Sequence, residues 1–213
     1  MKSMKSKIVY IVCFVLFSSI PVFTMAQDDR QGRTDFSGHW QLGTPVGDEF
    51  AENFGGWGAN FEGHYYVTNR IAVGAFVSWQ TYIKYYNRQT YPLKSGAGDV
   101  TMDKYQTVFE LPFGLSSKFH FLPSSGLFDP YFGLKLGANY SEQHRYYNIF
   151  EDYDDNWGFV VLPELGVTIS PLENKAVGLH LALFYSYSTN KSDYFDLSGL
   201  SDFGFRVGLN FRF

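Results

Sequence analysis

Apolar and polar side chains alternate along most of this chain, and the alternation is clearest over residues 203–213. The odd-numbered positions there are all apolar, and small, polar or charged residues occupy the even-numbered ones. Because successive side chains of a β-strand point to opposite faces, this pattern predicts a strand with one apolar and one polar face.

The same alternation recurs upstream and predicts seven further strands. Five are strong, at 71–85, 105–121, 131–140, 157–169 and 177–187, and two are weaker, at 37–47 and 58–67. No segment shows the periodicity of a helix. The sequence therefore predicts an all-β protein with eight strands.

The predicted connections between these strands alternate in length. Those at 68–70, 123–130 and 171–175 are short and rich in turn residues, whereas those at 48–57, 86–104, 146–156 and 188–201 are longer and polar. An even number of strands joined alternately by short turns and long loops is typical of bacterial transmembrane barrels. With eight strands, both termini fall on the side of the short turns.

The first 26 residues have the pattern of a secretory signal peptide. Lysines at positions 2, 5 and 7 precede an uncharged apolar run at 8–17, and small residues precede a predicted cleavage site after Ala26. The run is too short to cross about 30 Å of hydrocarbon. We therefore predict a cleaved signal peptide at 1–26, a short periplasmic tail at 27–35 and a barrel at 36–213. The one cysteine, Cys13, lies in the signal peptide.

Charge and composition narrow the possible partners. Without the three lysines of residues 1–26, 14 basic and 21 acidic side chains remain, a net charge of −7. An acidic chain is poorly suited to bind nucleic acid, because that affinity depends on cationic contacts to phosphate. Aromatic residues make up 20% of the chain, a fraction that suits strands and membrane interfaces.

The final strand, with its terminal Phe213, resembles the closing strand of small bacterial outer-membrane β-barrels of the OmpX and OmpA transmembrane-domain type. The resemblance implies an eight-stranded antiparallel up-and-down meander in outer-membrane lipid. It also implies that Phe213, Phe211 and Leu209 form the assembly signal read by the barrel-insertion machinery. Roles implied for this type are membrane integrity, surface adhesion or a small conductance.

A soluble eight-stranded barrel is the alternative fold, since it alternates in the same way. Its interior would be crowded with the large apolar side chains of every strand, although eight strands enclose only a filled core. The signal peptide, the unequal loops and the terminal phenylalanine together favour the membrane barrel.

In a membrane barrel, the polar face lines the lumen. Seven charged residues there are predicted to form a network: Glu62, Glu110, Lys118, Lys135, Glu164, Arg206 and Arg212. Eight strands are too few for an aqueous pore, so the network is predicted to plug the barrel rather than to act as a selectivity filter. A path for small apolar molecules through the lumen, as in OmpW-like barrels, is an alternative function. Five apolar residues that also point inward support this alternative: Phe76, Val108, Val160, Leu162 and Phe184.

An enzymatic role is a further alternative, because some eight-stranded outer-membrane proteins modify lipid A with a histidine and a serine near the outer leaflet. His39, His64, His120 and His180 are predicted to point inward. At ~3.4 Å per residue, His180 and Ser186 are about 20 Å apart, too far for proton transfer. His144 lies close to an outer loop, but no motif surrounds it. We therefore predict a non-enzymatic protein with no catalytic residue and no cofactor.

The long loops are the predicted contact surface for an extracellular protein or another surface ligand. One of them contains an acidic run at 151–156, and hard cations such as calcium bind several carboxylate oxygens. The run lacks the glycine and the downstream glutamate of an EF-hand loop, so no metal site is predicted. Several predicted strands exceed the roughly 9–11 residues needed to cross a bilayer, which predicts a β-structured rim beyond the membrane.

Overall fold

Eight β-strands form the protein in the computed structural model, which describes residues 30–47, 54–92, 99–122, 126–147, 150–171, 176–195 and 197–213. The predicted signal peptide lies outside the described residues. The strands are β1 (Thr34–Pro45), β2 (Gly55–Tyr66), β3 (Ile71–Pro92), β4 (Asp99–His120), β5 (Phe128–Tyr147), β6 (Phe150–Ile169), β7 (Val177–Ser188) and β8 (Leu200–Arg212).

The strands form a closed antiparallel barrel in which each strand pairs with the next along the chain. Strand β8 closes the barrel against β1, from Asp35 opposite Arg212 to Pro45 opposite Asp202. Beyond this ladder, Phe213 and Thr34 exchange two backbone hydrogen bonds of 2.8 and 3.1 Å. The predicted eight-stranded up-and-down meander is confirmed. Among the described residues, no helix is long and apolar enough to cross a membrane.

The barrel is apolar on the outside and polar on the inside. Leu115 on β4 is 73% exposed on the outer face, whereas the charged side chain of Lys135 on β5 is fully buried in the interior. Each strand alternates in this way because the side-chain period of a strand is two residues. A soluble barrel would have the opposite arrangement, so the exterior requires an apolar surrounding such as lipid.

The two ends of the barrel differ. Both termini of the described chain and the short connections lie at one end, here called the turn end, and the opposite end is called the loop end. Strands β3 and β4 have 22 residues each, and β5 and β6 have 20, whereas β1, β2 and β7 have 12. The four long strands therefore project past the others at the loop end.

The projecting part, here called the rim, consists of residues 83–92, 99–107, 141–147 and 150–156. The four long strands exceed the roughly 9–11 residues that cross a bilayer, as expected, and the position of the rim beyond the membrane stays a prediction. The prediction that 86–104 and 146–156 are mainly loops was wrong, because the described parts of these segments are largely strand. Polar residues and tyrosines make up much of the rim sequence, so the alternation of apolar and polar side chains fades there, although its tyrosines and threonines suit β-structure.

Candidate functional site

Five charged side chains meet in the middle of the lumen, one from each of five strands. Glu62 lies between two ammonium groups, 2.5 Å from Lys118 Nζ and 2.7 Å from Lys135 Nζ. Lys135 also lies 2.8 Å from Glu164, which in turn lies 2.5 Å from Arg206 Nη1. These five residues form one continuous chain of ion pairs, here called the central network.

Small and aromatic residues give the central network its shape. The Tyr131 hydroxyl donates a hydrogen bond of 3.0 Å to Glu164, and its oxygen lies 2.6 Å from His180 Nε2. A Cβ atom at Gly166 would lie only 2.5 Å from that hydroxyl, and one at Gly133 would lie 2.6 Å from Glu164 Cγ. The two glycines are therefore needed to make room for Tyr131 and Glu164.

The central network brings charges of both signs together in the interior of the barrel. It contains three cations and two anions, all buried, and buried ions are tolerated only when they are paired. His39, Glu62 and His180 offer possible metal ligand atoms within 4.8 Å of one another. Both carboxylate oxygens of Glu62 already face lysines, so a divalent cation would have to displace two ammonium groups from a region that is already net positive.

A second group of polar residues, here called the turn-end cluster, lies at the turn end of the lumen. Asp129 accepts two hydrogen bonds of 2.8 Å from Arg30 and lies 2.9 Å from His120 Nδ1 and 3.5 Å from Arg212. Arg212 also donates a 3.0 Å hydrogen bond to the Tyr66 hydroxyl. The Arg30 side chain thus folds back into the barrel mouth.

The seven predicted lumen charges therefore lie in three places. Five form the central network, Arg212 belongs to the turn-end cluster, and Glu110 accepts a 3.0 Å hydrogen bond from Asn139. The prediction missed Arg30 and Asp129, which fall in the predicted tail and in a predicted turn. The inward-facing positions of β5 are odd-numbered, so the alternation along this strand could have identified Asp129. No such alternation surrounds Arg30.

Part of the connection between β7 and β8 packs into the loop end of the lumen. Phe195 is only 7% exposed and packs with Tyr82, Val108 and Leu200, a group here called the loop-end layer. Asn190, which is also buried, donates a 3.1 Å hydrogen bond to the backbone carbonyl of Asn139. The prediction of 188–201 as a simple outer loop was therefore incomplete, since part of it folds into the barrel.

The predicted apolar path is present as inward side chains but is packed against the charged groups. Phe76, Val108, Val160, Leu162 and Phe184 are all buried. The Lys135 ammonium lies 5.5 Å from the centre of the Phe76 ring, and the Arg206 guanidinium lies 4.2 Å from that of Phe184. These rings therefore cover the central network.

All four histidines predicted to face inward are buried, and each has a polar partner. Besides His120 and His180, His64 lies 2.8 Å from Ser116 Oγ, and His39 Nδ1 lies 2.8 Å from Asn60 Nδ2. On the rim, His144 lies between two carboxylates, with Nδ1 2.5 Å from Glu151 and Nε2 3.6 Å from Glu142.

The acidic run at 151–156 lies in β6, and its expected placement in a loop was wrong. Alternate side chains of a strand face opposite sides, so Asp152 and Asp154 share one face while Glu151 and Asp155 share the other. Asp154 accepts a short hydrogen bond from Ser192 Oγ. The run therefore does not gather its carboxylates around one cation.

A closed eight-stranded barrel with an apolar exterior and a filled polar lumen defines the class: a small transmembrane β-barrel of the outer-membrane type. The sequence matches no protein-family profile and no curated protein sequence. Solved structures do match. Neisserial surface protein A has 12% identity and a TM-score of 0.53 over 85% of this chain and 96% of its own.

Two further solved structures are similar. Ail, the attachment invasion locus protein of Yersinia pestis, solved with the heparin analogue sucrose octasulfate, has 15% identity and a TM-score of 0.49 over 86% of this chain and 99% of its own. Outer membrane protein W of E. coli has 16% identity and a TM-score of 0.45 over 87% of this chain and all of its own. At 12% identity, the similarity to neisserial surface protein A bears on the fold alone.

Proposed function

We propose that this protein is an integral outer-membrane barrel with a closed lumen, and that it works by binding partners at its surface rather than by conduction or catalysis. The turn end faces the periplasm, and the rim faces the outside of the cell. The observation that supports the proposal is the filling of the lumen, in which the turn-end cluster, the central network and the loop-end layer follow one another from the turn end to the loop end.

The central network is the main barrier to ions. Glu62, Lys135 and Glu164 follow one another at ion-pair distance across the lumen. An ion that entered would have to break these pairs in a region shielded from water, where electrostatic interactions are strong. An eight-stranded barrel has no spare width around such a group.

The rim supplies the surface for binding. Beyond the pair of Trp57 and Thr81, β3 continues to Pro92 without a described partner strand on its β2 side. An open strand edge offers backbone donors and acceptors to an extended peptide, which can add itself as a further strand. The four long strands therefore present a projecting surface rich in polar residues and tyrosines to an extracellular partner, and among the described residues β3 is an edge strand of this surface.

Single-channel conductance of the refolded barrel in a planar bilayer tests the closed lumen. We expect no steady current from the wild type. The paired variant Lys135→Ala/Glu164→Ala removes one cation and one anion from the central network, and should still pass no steady current, because the turn-end cluster and the loop-end layer remain in place. A steady current through the wild type would contradict the closed lumen and support the small-channel alternative, in which the selectivity residues are Glu62, Glu110, Lys118 and Arg206.

A path for small apolar molecules is the second candidate function, favoured by the five buried apolar side chains of the lumen. Uptake of a small alkane into proteoliposomes tests it, and the closed-lumen proposal predicts no transport above that of empty vesicles. Lipid modification is tested with radiolabelled lipopolysaccharide. We expect no turnover, and turnover that is lost in His144→Ala would establish an enzyme.

A further inference from the structure

Three tyrosines form a row across the outer face of the rim. The strand register places Tyr105 on β4 opposite Tyr85 on β3 and opposite Tyr146 on β5. The centres of the Tyr85 and Tyr105 rings are 4.7 Å apart. Tyr105 shares the odd-numbered, outward-facing positions of β4 with Leu115, so the row lies outside the barrel wall and not in the lumen.

A β-bulge brings two charged side chains to this row. The register of β3 and β4 shifts between Tyr86 and Gln89, so that Asn87 and Arg88 together lie opposite the single residue Asp103. A bulge bends its strand and changes the direction of its side chains, and bulges are frequent next to active sites. One cation and one anion thereby lie next to the tyrosines.

The tyrosine row and the bulge border a pocket of about 390 Å³, here called the rim pocket. This volume lies within the range of about 300–1,000 Å³ that is usual for sites of small ligands. Six residues line the pocket: Arg88, Thr101, Met102, Asp103, Tyr105 and Tyr146. The rim pocket therefore combines aromatic surface with one charge of each sign.

The two charged groups of the rim pocket are not paired with each other. Within the described part of the chain, neither Arg88 nor Asp103 forms an ion pair, and both side chains are exposed. Desolvation and the nearby Asp103 carboxylate raise the pKa of Tyr85, which places this carboxylate beside the tyrosine row. The rim pocket is therefore neutral as a whole, with a donor group and an acceptor group on separate side chains.

We propose that the rim pocket binds an uncharged sugar ring, which comes either from a free saccharide or from the headgroup of a glycolipid. A sugar ring has an apolar C–H face and hydroxyl groups at its edge, and the ring of Tyr105 is a surface on which that face can stack. Each hydroxyl donates one hydrogen and accepts at its oxygen. Asp103 only accepts and Arg88 only donates, so together they can bind neighbouring hydroxyls in both directions.

Charge separates this ligand from ionic ones. An anion would be repelled by Asp103 and a cation by Arg88, whereas a neutral sugar meets no like charge. Tyrosines alone on the outside of a barrel would form the usual aromatic girdle at the membrane interface. A girdle requires only the rings, so the roles of Arg88 and Asp103 distinguish a sugar site from a girdle.

An array of immobilised neutral and acidic saccharides, probed with the refolded barrel, tests the site. The detergent is a polyoxyethylene ether, because detergents with sugar headgroups would compete. We expect binding to neutral saccharides, and the methyl glycoside of the strongest one is then titrated by calorimetry. Tyr105→Ala and Asp103→Asn should each weaken binding about tenfold, whereas Tyr105→Phe should bind as the wild type does, because it keeps the ring.

Two control variants remove matching groups elsewhere on the outer surface. Tyr65→Ala removes an exposed tyrosine ring at the turn end, and Asp155→Asn neutralises an exposed carboxylate of β6. Neither should change the affinity. Asp103→Asn should unfold at the same temperature as the wild type, because Asp103 is exposed and forms no ion pair with a described residue, so its loss of binding reports the rim pocket.

Binding to acidic saccharides alone, binding to none, or equal weakening by Tyr105→Ala and Tyr65→Ala would overturn the proposal. Vesicles with and without lipopolysaccharide distinguish the two sources of the sugar. A glycolipid headgroup that occupies the pocket would block the methyl glycoside, whereas a site for free saccharides would bind it equally in both. The inference rests on the proposed surface-binding function, but a silent bilayer together with no sugar binding would reject the rim pocket alone and leave the closed lumen standing.

Discussion

Arg30 and Asp129 are 99 positions apart in the chain, and Arg30 Nη1 donates hydrogen bonds of 2.8 Å to both carboxylate oxygens of Asp129. The pair joins the segment before β1 to the start of β5, on the far side of the barrel mouth. Arg30 also donates a short hydrogen bond to the carbonyl of Leu122. The start of the described chain therefore acts as a tether across the turn end.

Replacing Arg30 with glutamine should lower the free energy of unfolding by about 2 kcal/mol, because a buried carboxylate loses a charge-assisted partner. Asp129 keeps His120 and Arg212, which limits the loss. Urea titration in lipid vesicles, followed by tryptophan fluorescence, measures the effect. Arg70→Gln is the matched control and should change stability little. Equal stability of the Arg30→Gln and Arg70→Gln variants would show that the contact between Arg30 and Asp129 does not stabilise the barrel.

The sequence predicted the barrel because membrane insertion imposes a strict rule on each strand. Along β3, every residue from Ile71 to Thr81 must face either the lipid or the lumen. The alternation of apolar and polar side chains in the sequence reflects which of the two each residue faces. Above the membrane, water lies on both sides of the sheet. Residues such as Tyr86 and Thr101 are then acceptable on either face, so the sequence no longer marks where β3 and β4 end.

The central network could be predicted only in part. The alternation of odd and even positions placed Glu62 and Lys135 in the lumen. It does not say which inward-facing side chains lie at the same level along the barrel axis. Levels depend on the stagger between strands, which local patterns do not reveal. Arg30 was missed for another reason: its role comes from a contact across 99 positions and not from any repeating pattern around it.

Replacing Lys135 with methionine should destabilise the barrel by about 3–5 kcal/mol, because Glu62 and Glu164 would share the lumen with one cation fewer. The double variant Lys135→Met/Glu164→Gln should recover part of this loss, since it also removes one of the two anions. A double-mutant cycle by urea titration measures the coupling. If the two substitutions had additive effects on the free energy of unfolding, the ion pair between Lys135 and Glu164 would not contribute to stability.

Replacing Leu181 with arginine should destabilise the barrel by about 2–4 kcal/mol, because an arginine near the bilayer midplane is costly on a lipid-facing position. Leu181 lies opposite Val167 and Val207 on the outer face of β7. Tyr194→Arg is the control, since Tyr194 is exposed in the connection between β7 and β8. Folding in vesicles followed by urea titration gives both values, and an unaffected Leu181→Arg variant would contradict the assignment of this face to lipid.

Deleting Phe213 should prevent the barrel from reaching the outer membrane and leave it in the periplasm. The prediction takes Phe213, Phe211 and Leu209 as the assembly signal; Phe213 is 73% exposed and lies on the same outer face as the other two. Its backbone also pairs with Thr34, so deletion removes the last hydrogen bonds of the closing seam. Phe213→Ala keeps those backbone bonds and removes only the ring, whereas Phe205→Ala removes a ring farther from the end of the same strand. Membrane fractionation of cells should then show loss for the deletion and for Phe213→Ala, but normal yield for Phe205→Ala. If Phe213→Ala assembled normally while the deletion failed, the seam rather than the aromatic signal would control assembly.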